Sequence, residues 1–237
     1  MIEVRPFDAL GRFDNGWLAA RYHFSFAGYH DPSRMGLGPL RVWNDDTIQP
    51  GTGFDLDGHR DMEIITYVRK GAISHRDHLG NEGRTEAGDV QVMSAGTGIL
   101  HAEHNLEDDT TQIFQIWIEP ATAGVRPRWE ARRFPRGDRA GELVALASGR
   151  PEDSTGAPEG PLPIHQDAAI LGATLKAGQS VTHALRRGRK AYLVPASGRI
   201  EVDGRAAEAR DGVAISQVEA VTITALEDSE ILLADLA

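Results

Sequence analysis

The apolar residues of this chain arrive in short runs rich in β-branched and aromatic side chains, each closed by Gly, Asp, Asn or Pro. Met62 to Val68 (MEIITYV), Asp89 to Met93 (DVQVM) and Gln112 to Ile118 (QIFQIWI) are examples. Such runs are strands, several with the near-continuous hydrophobicity of burial on both faces. Turn signals separate nearly every pair: Lys70-Gly71, Gly80-Asn81, Ala87-Gly88-Asp89, Gly96-Thr97-Gly98 and Asp108-Asp109. The 26 glycines and 12 prolines fit that density of turns. Many short strands at this spacing imply an all-β sandwich or barrel.

A chain of 237 residues suffices for one large β domain or for two of roughly 110 to 120 residues each. From Ala121 to Pro163 the texture turns to Pro, Gly and charge (RPRWEARRFPRGDRAG, then ASGRPEDSTGAPEGPLP), which predicts a linker with a short helix over Ala140 to Ser148. Strand rhythm then resumes at Gly172 to Lys176, Ala191 to Pro195, Arg199 to Val202, Val213 to Ile215, Val221 to Ala225 and Ile231 to Leu236. Val202-Asp203-Gly204-Arg205 reads as a tight hairpin. The expected division is residues 1–125 as one domain and residues 126–237 as linker plus a second of similar architecture.

Composition removes several function classes. The absence of cysteine excludes disulfides, zinc ribbons, iron–sulfur clusters and thiol nucleophiles, leaving histidine and carboxylate as the strong metal ligands. A net charge of −10 repels phosphate backbones and anionic lipid, so neither nucleic acid nor a membrane is an expected partner. The start, MIEVRPFDALGRF, lacks a basic region followed by an apolar one, and no apolar run approaches a membrane span. A cytoplasmic location is the expectation. The arginines at 126, 128, 132, 133, 136 and 139 form the one basic stretch, read as a linker salt-bridged to an acidic body.

Two residue pairs carry chemistry. Asp57 precedes His59 by two positions, and Glu103 follows His101 by two. Residues i and i+2 on a strand share a face, so each pair aims two donors into one barrel interior. Nitrogen and oxygen donors without sulfur suit Fe(II), Mn, Ni, Co, Cu(II) or Zn, and a His/carboxylate set with open positions suits non-haem iron best. The same four residues also read as surface polar groups or as hydrogen-bonded core histidines, and spacing alone does not decide between these.

The run from Gly51 to Asn105 (GTGFDLDGHRDMEIITYVRKGAISHRDHLGNEGRTEAGDVQVMSAGTGILHAEHN) resembles the first cupin domain of the pirin family, bicupins that include bacterial quercetin 2,3-dioxygenase-like proteins. The resemblance extends outward through YHFSFAGYHDP at Tyr22 to Pro32, LRVWN at Leu40 to Asn44 and IWIEP at Ile116 to Pro120. It is looser in the second half, at IHQDA (Ile164 to Ala168). It implies two double-stranded β-helix barrels with few short helices, and one divalent metal, Fe(II) foremost, held by His59, His101 and Glu103. The family's first histidine falls on Asp57, a departure: aspartate is a competent hard ligand, but its oxygen sits closer to the backbone than an imidazole nitrogen does. A second carboxylate also favours Fe(III) over Fe(II).

The resemblance implies dioxygenase chemistry on a flavonol or related planar enolic aromatic, with Glu103 as the base that takes the hydroxyl proton. The alternative it implies is a metal- or redox-responsive module that binds a protein partner. Glu63, four positions after His59, is either a hydrogen-bond acceptor behind a ligating imidazole or a solvated acid. His75 and His78 read as surface residues of a hairpin, and His104 points away from His101 and Glu103. Phe26, Tyr29, Trp43 and Phe54 are candidates for an aromatic wall. His165 and His183 stand without paired partners in sequence, so the second domain is expected to be metal-free and structural.

Overall fold

The computed structural model describes residues 1–154 and 159–237; the segment 155–158 of the expected linker lies outside the described residues. The chain is all-β, and its only helical turns among the described residues are three short 3-10 segments. It forms two compact units, one of Gly11–Phe134 with Leu162–Gln166, the other of Met1–Leu10, Pro135–Pro161 and Asp167–Ala237. These bounds are not the contiguous 1–125 and 126–237 of the sequence reading. Each unit takes in a piece of chain from outside its main span.

In the N-terminal unit a seven-stranded antiparallel sheet has Glu63–Lys70 and Thr111–Ile118 near its centre, flanked by Leu40–Ile48 and Leu18–Tyr22 on one side and by Val90–Ser94 and Arg128–Arg132 on the other. A second sheet has four strands in the order Thr52–His59, Ile99–Asn105, Ala72–Asp77, Glu82–Glu86. Leu18, Ala20, Tyr22, Ile48, Val68, Ile73 and Ile113 join the two sheets in one apolar cluster, with Phe54 packed against it.

The C-terminal unit repeats the plan. Lys190–Ser197, Ser229–Leu236 and Ala168–Leu175 make the centre of its larger sheet, and Ser180–Ala184, Ala220–Ala225, Ile200–Val202 and Arg205–Ala207 make the smaller. The expected hairpin is present: Val202 pairs with Arg205, and Asp203 and Gly204 both take positive φ (44° and 84°), as a two-residue type I′ turn requires. Its interior is lined by Leu171, Leu193, Ile200, Ile223, Leu233 and other aliphatic side chains, with no ionisable member in the cluster.

Two expectations fail in the region read as a linker. Val144–Ser148 is a strand paired with Ala168–Leu175, not part of a helix, and Arg128–Arg132 extends the larger N-terminal sheet. VALAS alternates too weakly to separate periods of 2 and 3.6, and the neighbouring strand decides. Four of the six arginines of the basic stretch are ion-paired, Arg128 and Arg132 to Glu130 within the stretch itself and Arg136 and Arg139 to Glu230 outside it, so the expectation of pairing to an acidic body holds for the last two.

Asp235 is the electrostatic centre of the C-terminal unit. Its Oδ2 is 2.9 Å from His183 Nε2 and 2.8 Å from Arg150 Nη1, and its Oδ1 is 2.6 Å from Arg189 Nε. Burial works to raise its pKa, but the His183 and Arg189 hydrogen bonds and charges win and hold it at about 2. A depressed carboxyl pKa contributes stability that is present above the unfolded value and lost as pH falls toward the folded one, so about 2 kcal/mol should disappear between roughly pH 4 and pH 2. Asp235→Asn removes the charge shared by two buried guanidinium groups, leaving Arg150 with Asp153 and Arg189 with Asp167, and should cost about 3 kcal/mol at pH 7. Urea unfolding of both proteins from pH 7 to pH 2 checks this: the difference between them should shrink as the acid range is entered.

Candidate active site

A pocket of the N-terminal unit, with a cavity volume of about 110 Å³, opens between the two sheets. Its smaller-sheet wall carries Phe54, Asp57, His59, His101 and Glu103; its larger-sheet wall carries Leu18, Tyr22, Asn44, Asp46, Gln115 and Trp117, and Phe26 completes it. All four residues predicted as metal donors therefore meet in one cavity.

A bulge brings them there. Ile99–Asn105 pairs with Thr52–His59 so that His101 faces Asp57 and Glu103 faces Phe54, which leaves the single residue Ala102 on one strand against Asp55 and Leu56 on the other. Phe54 and Asp57, three positions apart, thus both line the pocket, while Asp55 and Leu56 between them are exposed. The close approach depends on Gly53, where a Cβ would lie 2.2 Å from the Glu103 carbonyl oxygen.

Glu103 is buried and held by two amides. Gln91 Nε2 donates to Oε1, and Gln115 Nε2 donates to Oε2 at 3.2 Å. Gln91 is itself fixed by Thr85, whose hydroxyl donates to its Oε1 at 3.1 Å. Burial pushes Glu103 up to about 7, with the Gln91 hydrogen bond pulling the other way. Burial also lowers His59, against the raising influence of Asp57. His101 falls to about 4 through burial and the neighbouring His59 and His75 rings. Both imidazoles are therefore neutral at pH 7, the form that offers a lone pair to a metal.

Asp57 differs from the other three. Its side chain is 69% exposed, its Oδ1 accepts from the Gly58 amide at 2.8 Å, and its Oδ2 lies 3.6 Å from His59 Nε2. It stands at the rim, beside the His59 imidazole.

His75, expected on the hairpin surface, is buried. Its ring stacks flat on Trp129 (4.7 Å, 4°) and lies 5.3 Å from that of His101. Its Nε2 is 3.0 Å from Asp77 Oδ2, and Asp77 in turn accepts from Asn81 and the Leu79 amide. The stack requires Gly83, where a Cβ would come within 2.3 Å of the Trp129 indole. Donor atoms of His75, His101 and Glu103 lie within 4.8 Å of one another, and Nδ1 of both histidines is buried without a partner among the described residues. The signal in sequence is His75-x-Asp77, an i, i+2 pair of the kind that exposed Asp57 and His59. His78 is on the surface as expected, its Nδ1 accepting from the Leu100 amide at 3.0 Å. His104 faces Asp55 instead of the pocket.

Glu63 is neither solvated nor behind a ligating imidazole. It is fully buried, accepts from Ser94 Oγ at 2.8 Å and lies 3.2 Å from His165 Nδ1, which gives His165 a partner that sequence did not reveal. Of the expected aromatic wall, Phe26 and Phe54 line the pocket. Trp43 is buried against Phe114, and Tyr29 packs near Tyr22. Tyr22 and Trp117 take their places, the latter 5.1 Å from the His59 ring.

Comparisons with known proteins agree with this geometry. Residues 3–118 match the pirin family model, and residues 153–236 match the quercetinase C-terminal cupin domain. A pirin-like protein of Caulobacter vibrioides is 59% identical over the full length of both chains, and the quercetin 2,3-dioxygenase of Escherichia coli is 41% identical over 100% of this chain and 99% of its own. The crystal structure of YhhW from E. coli superposes with a TM-score of 0.93 at 38% identity, covering 100% of this chain and 98% of that one. Its complex with nickel(II) gives 0.91 at the same identity, covering 100% and 99%. With two cupin barrels and a His/carboxylate pocket in the first of them, the chain belongs to the pirin family.

Proposed function

We propose that the protein is a metal-dependent dioxygenase that cleaves a flavonol, or a related planar enolic aromatic, with O2. One observation carries the reading: His59, His101 and Glu103 converge in a pocket whose other walls are Tyr22, Phe26, Phe54 and Trp117. Such a cavity accepts a flat aromatic and presents hard donors at one end. The E. coli relatives, one named a quercetin 2,3-dioxygenase and one bound to nickel(II), support it.

The donor set fits a divalent metal, with two neutral imidazoles, a buried carboxylate and, at the rim, Asp57. A metal bound there would acidify an enolic hydroxyl and polarise the adjacent carbonyl. The residues do the rest. Glu103 takes the hydroxyl proton, which its position near neutrality allows it to accept and release. Gln91 and Gln115 hold that carboxylate against rotation, and Tyr22, Phe26 and Phe54 restrict the substrate plane.

Elemental analysis after anaerobic loading with Fe(II) or Ni(II) and desalting should find close to one equivalent in the wild type and little in His101→Ala. Glu103→Gln should lose turnover by about a hundredfold or more, the scale of a general base. Asp57→His should keep or improve both metal retention and turnover. Quercetin consumption unchanged in His101→Ala would sink the proposal.

A further inference from the structure

The pocket contains a second set of polar groups that the metal-binding donors do not use. On the Leu40–Ile48 strand, Asn44 and Asp46 share a face, directed with Gln115 and Trp117 into the cavity. Asn44 is flanked by Gln115 and Tyr22, and Asp46 by Ile113 and Ala20. Both are nearly inaccessible, at 4% and 3%, and Oδ1 of each is buried without a hydrogen-bond partner among the described residues. An orphaned buried polar atom typically costs about 1–3 kcal/mol.

Nearby acids are treated differently. Asp45, on the other face of the same strand, is ion-paired with Arg69, and Glu103 receives two amides. Two unsatisfied acceptor oxygens kept beside the substrate pocket therefore call for a ligand group that donates a hydrogen bond.

We propose that Asn44 and Asp46 form a hydroxyl-binding subsite, which anchors an aromatic substrate by a hydroxyl separate from the one that meets His59, His101 and Glu103. The assignment rests on the aromatic-substrate reading above and adds to it the substrate class: a polyhydroxylated ring system. A hydroxyl suits Asp46 in either protonation state, because it donates to a carboxylate and accepts from a carboxylic acid. The phenol of Tyr22, beside Asn44, closes the same wall.

Anaerobic quenching of tryptophan fluorescence, with metal-loaded and metal-free protein, measures the affinity for quercetin and for analogues each lacking one hydroxyl. The wild type should discriminate against at least one analogue by about tenfold, the scale of one buried hydrogen bond, and should do so with or without metal. Asp46→Leu should bind quercetin about tenfold more weakly and lose that discrimination, while Asp46→Asn should retain it. Because Asp46→Leu removes an unsatisfied buried carboxyl, its ligand-free Tm should rise; a purely structural Asp46 would lower it. Unchanged affinities in Asp46→Leu, or a lowered Tm with discrimination intact, overturn the subsite. If the wild type binds no flavonoid, the flavonol reading falls, and titration with phenol and catechol decides the subsite alone: saturable binding that Asp46→Leu abolishes sustains it, and absence of binding overturns it.

Discussion

Glu103 lies inside a β barrel where a carboxylate has no access to water, and two glutamine amides from the facing sheet meet its two oxygens. A buried acid without such partners would be expelled or would collapse the strand that carries it. The amides must in turn be held, as Thr85 holds Gln91, so the polar group propagates outward through the strands around it. Because this interior is committed to hydrogen bonding, it cannot also be filled with aliphatic packing. The pocket is the space left over, and the neutral imidazoles beside it follow from the same exclusion of water.

The second barrel shows what the architecture does without that commitment. Its hydrophobic cluster is built from aliphatic side chains, and its buried charges are paired, Asp235 with His183, Arg150 and Arg189, and Glu230 with Arg136 and Arg139. The two units share a topology and differ in what their inward-facing positions hold. Fold alone does not make the site; His59, His101 and Glu103 on the inner face of one barrel do.

Much of this was legible in the chain. The strand rhythm, the Asp203-Gly204 turn and the pairing of His101 with Glu103 depend on local spacing, which sequence displays directly, while the joining of His59 to that pair was implied by the family resemblance. What stayed hidden depends on partners far along the chain. The bulge that seats both Phe54 and Asp57 in the pocket is a property of register between two strands, and register has no signature in either one alone. His75 reads as a hairpin residue until Trp129, from a segment with linker composition, is laid over it. Glu63 and His165 are 102 positions apart and find each other only in the fold. The Ala140 to Ser148 region was misread for a related reason: weak local preference yields to whichever element lies alongside.

The strand Ile2–Arg5 completes one edge of the C-terminal sheet by pairing with Gly212–Ile215, and just beyond it the Phe7 amide donates to Asp211, 204 positions further on. During synthesis this strand has no sheet partner until Gly212–Ile215, near the other end of the chain, has been made. The intervening barrel can gather its strands while it waits. Completing that edge of the second barrel therefore recruits a strand from far along the chain, a closure of very high contact order. A change that weakens the pairing of Ile2–Arg5 acts on that closure and would be felt as slow or incomplete folding of the C-terminal unit.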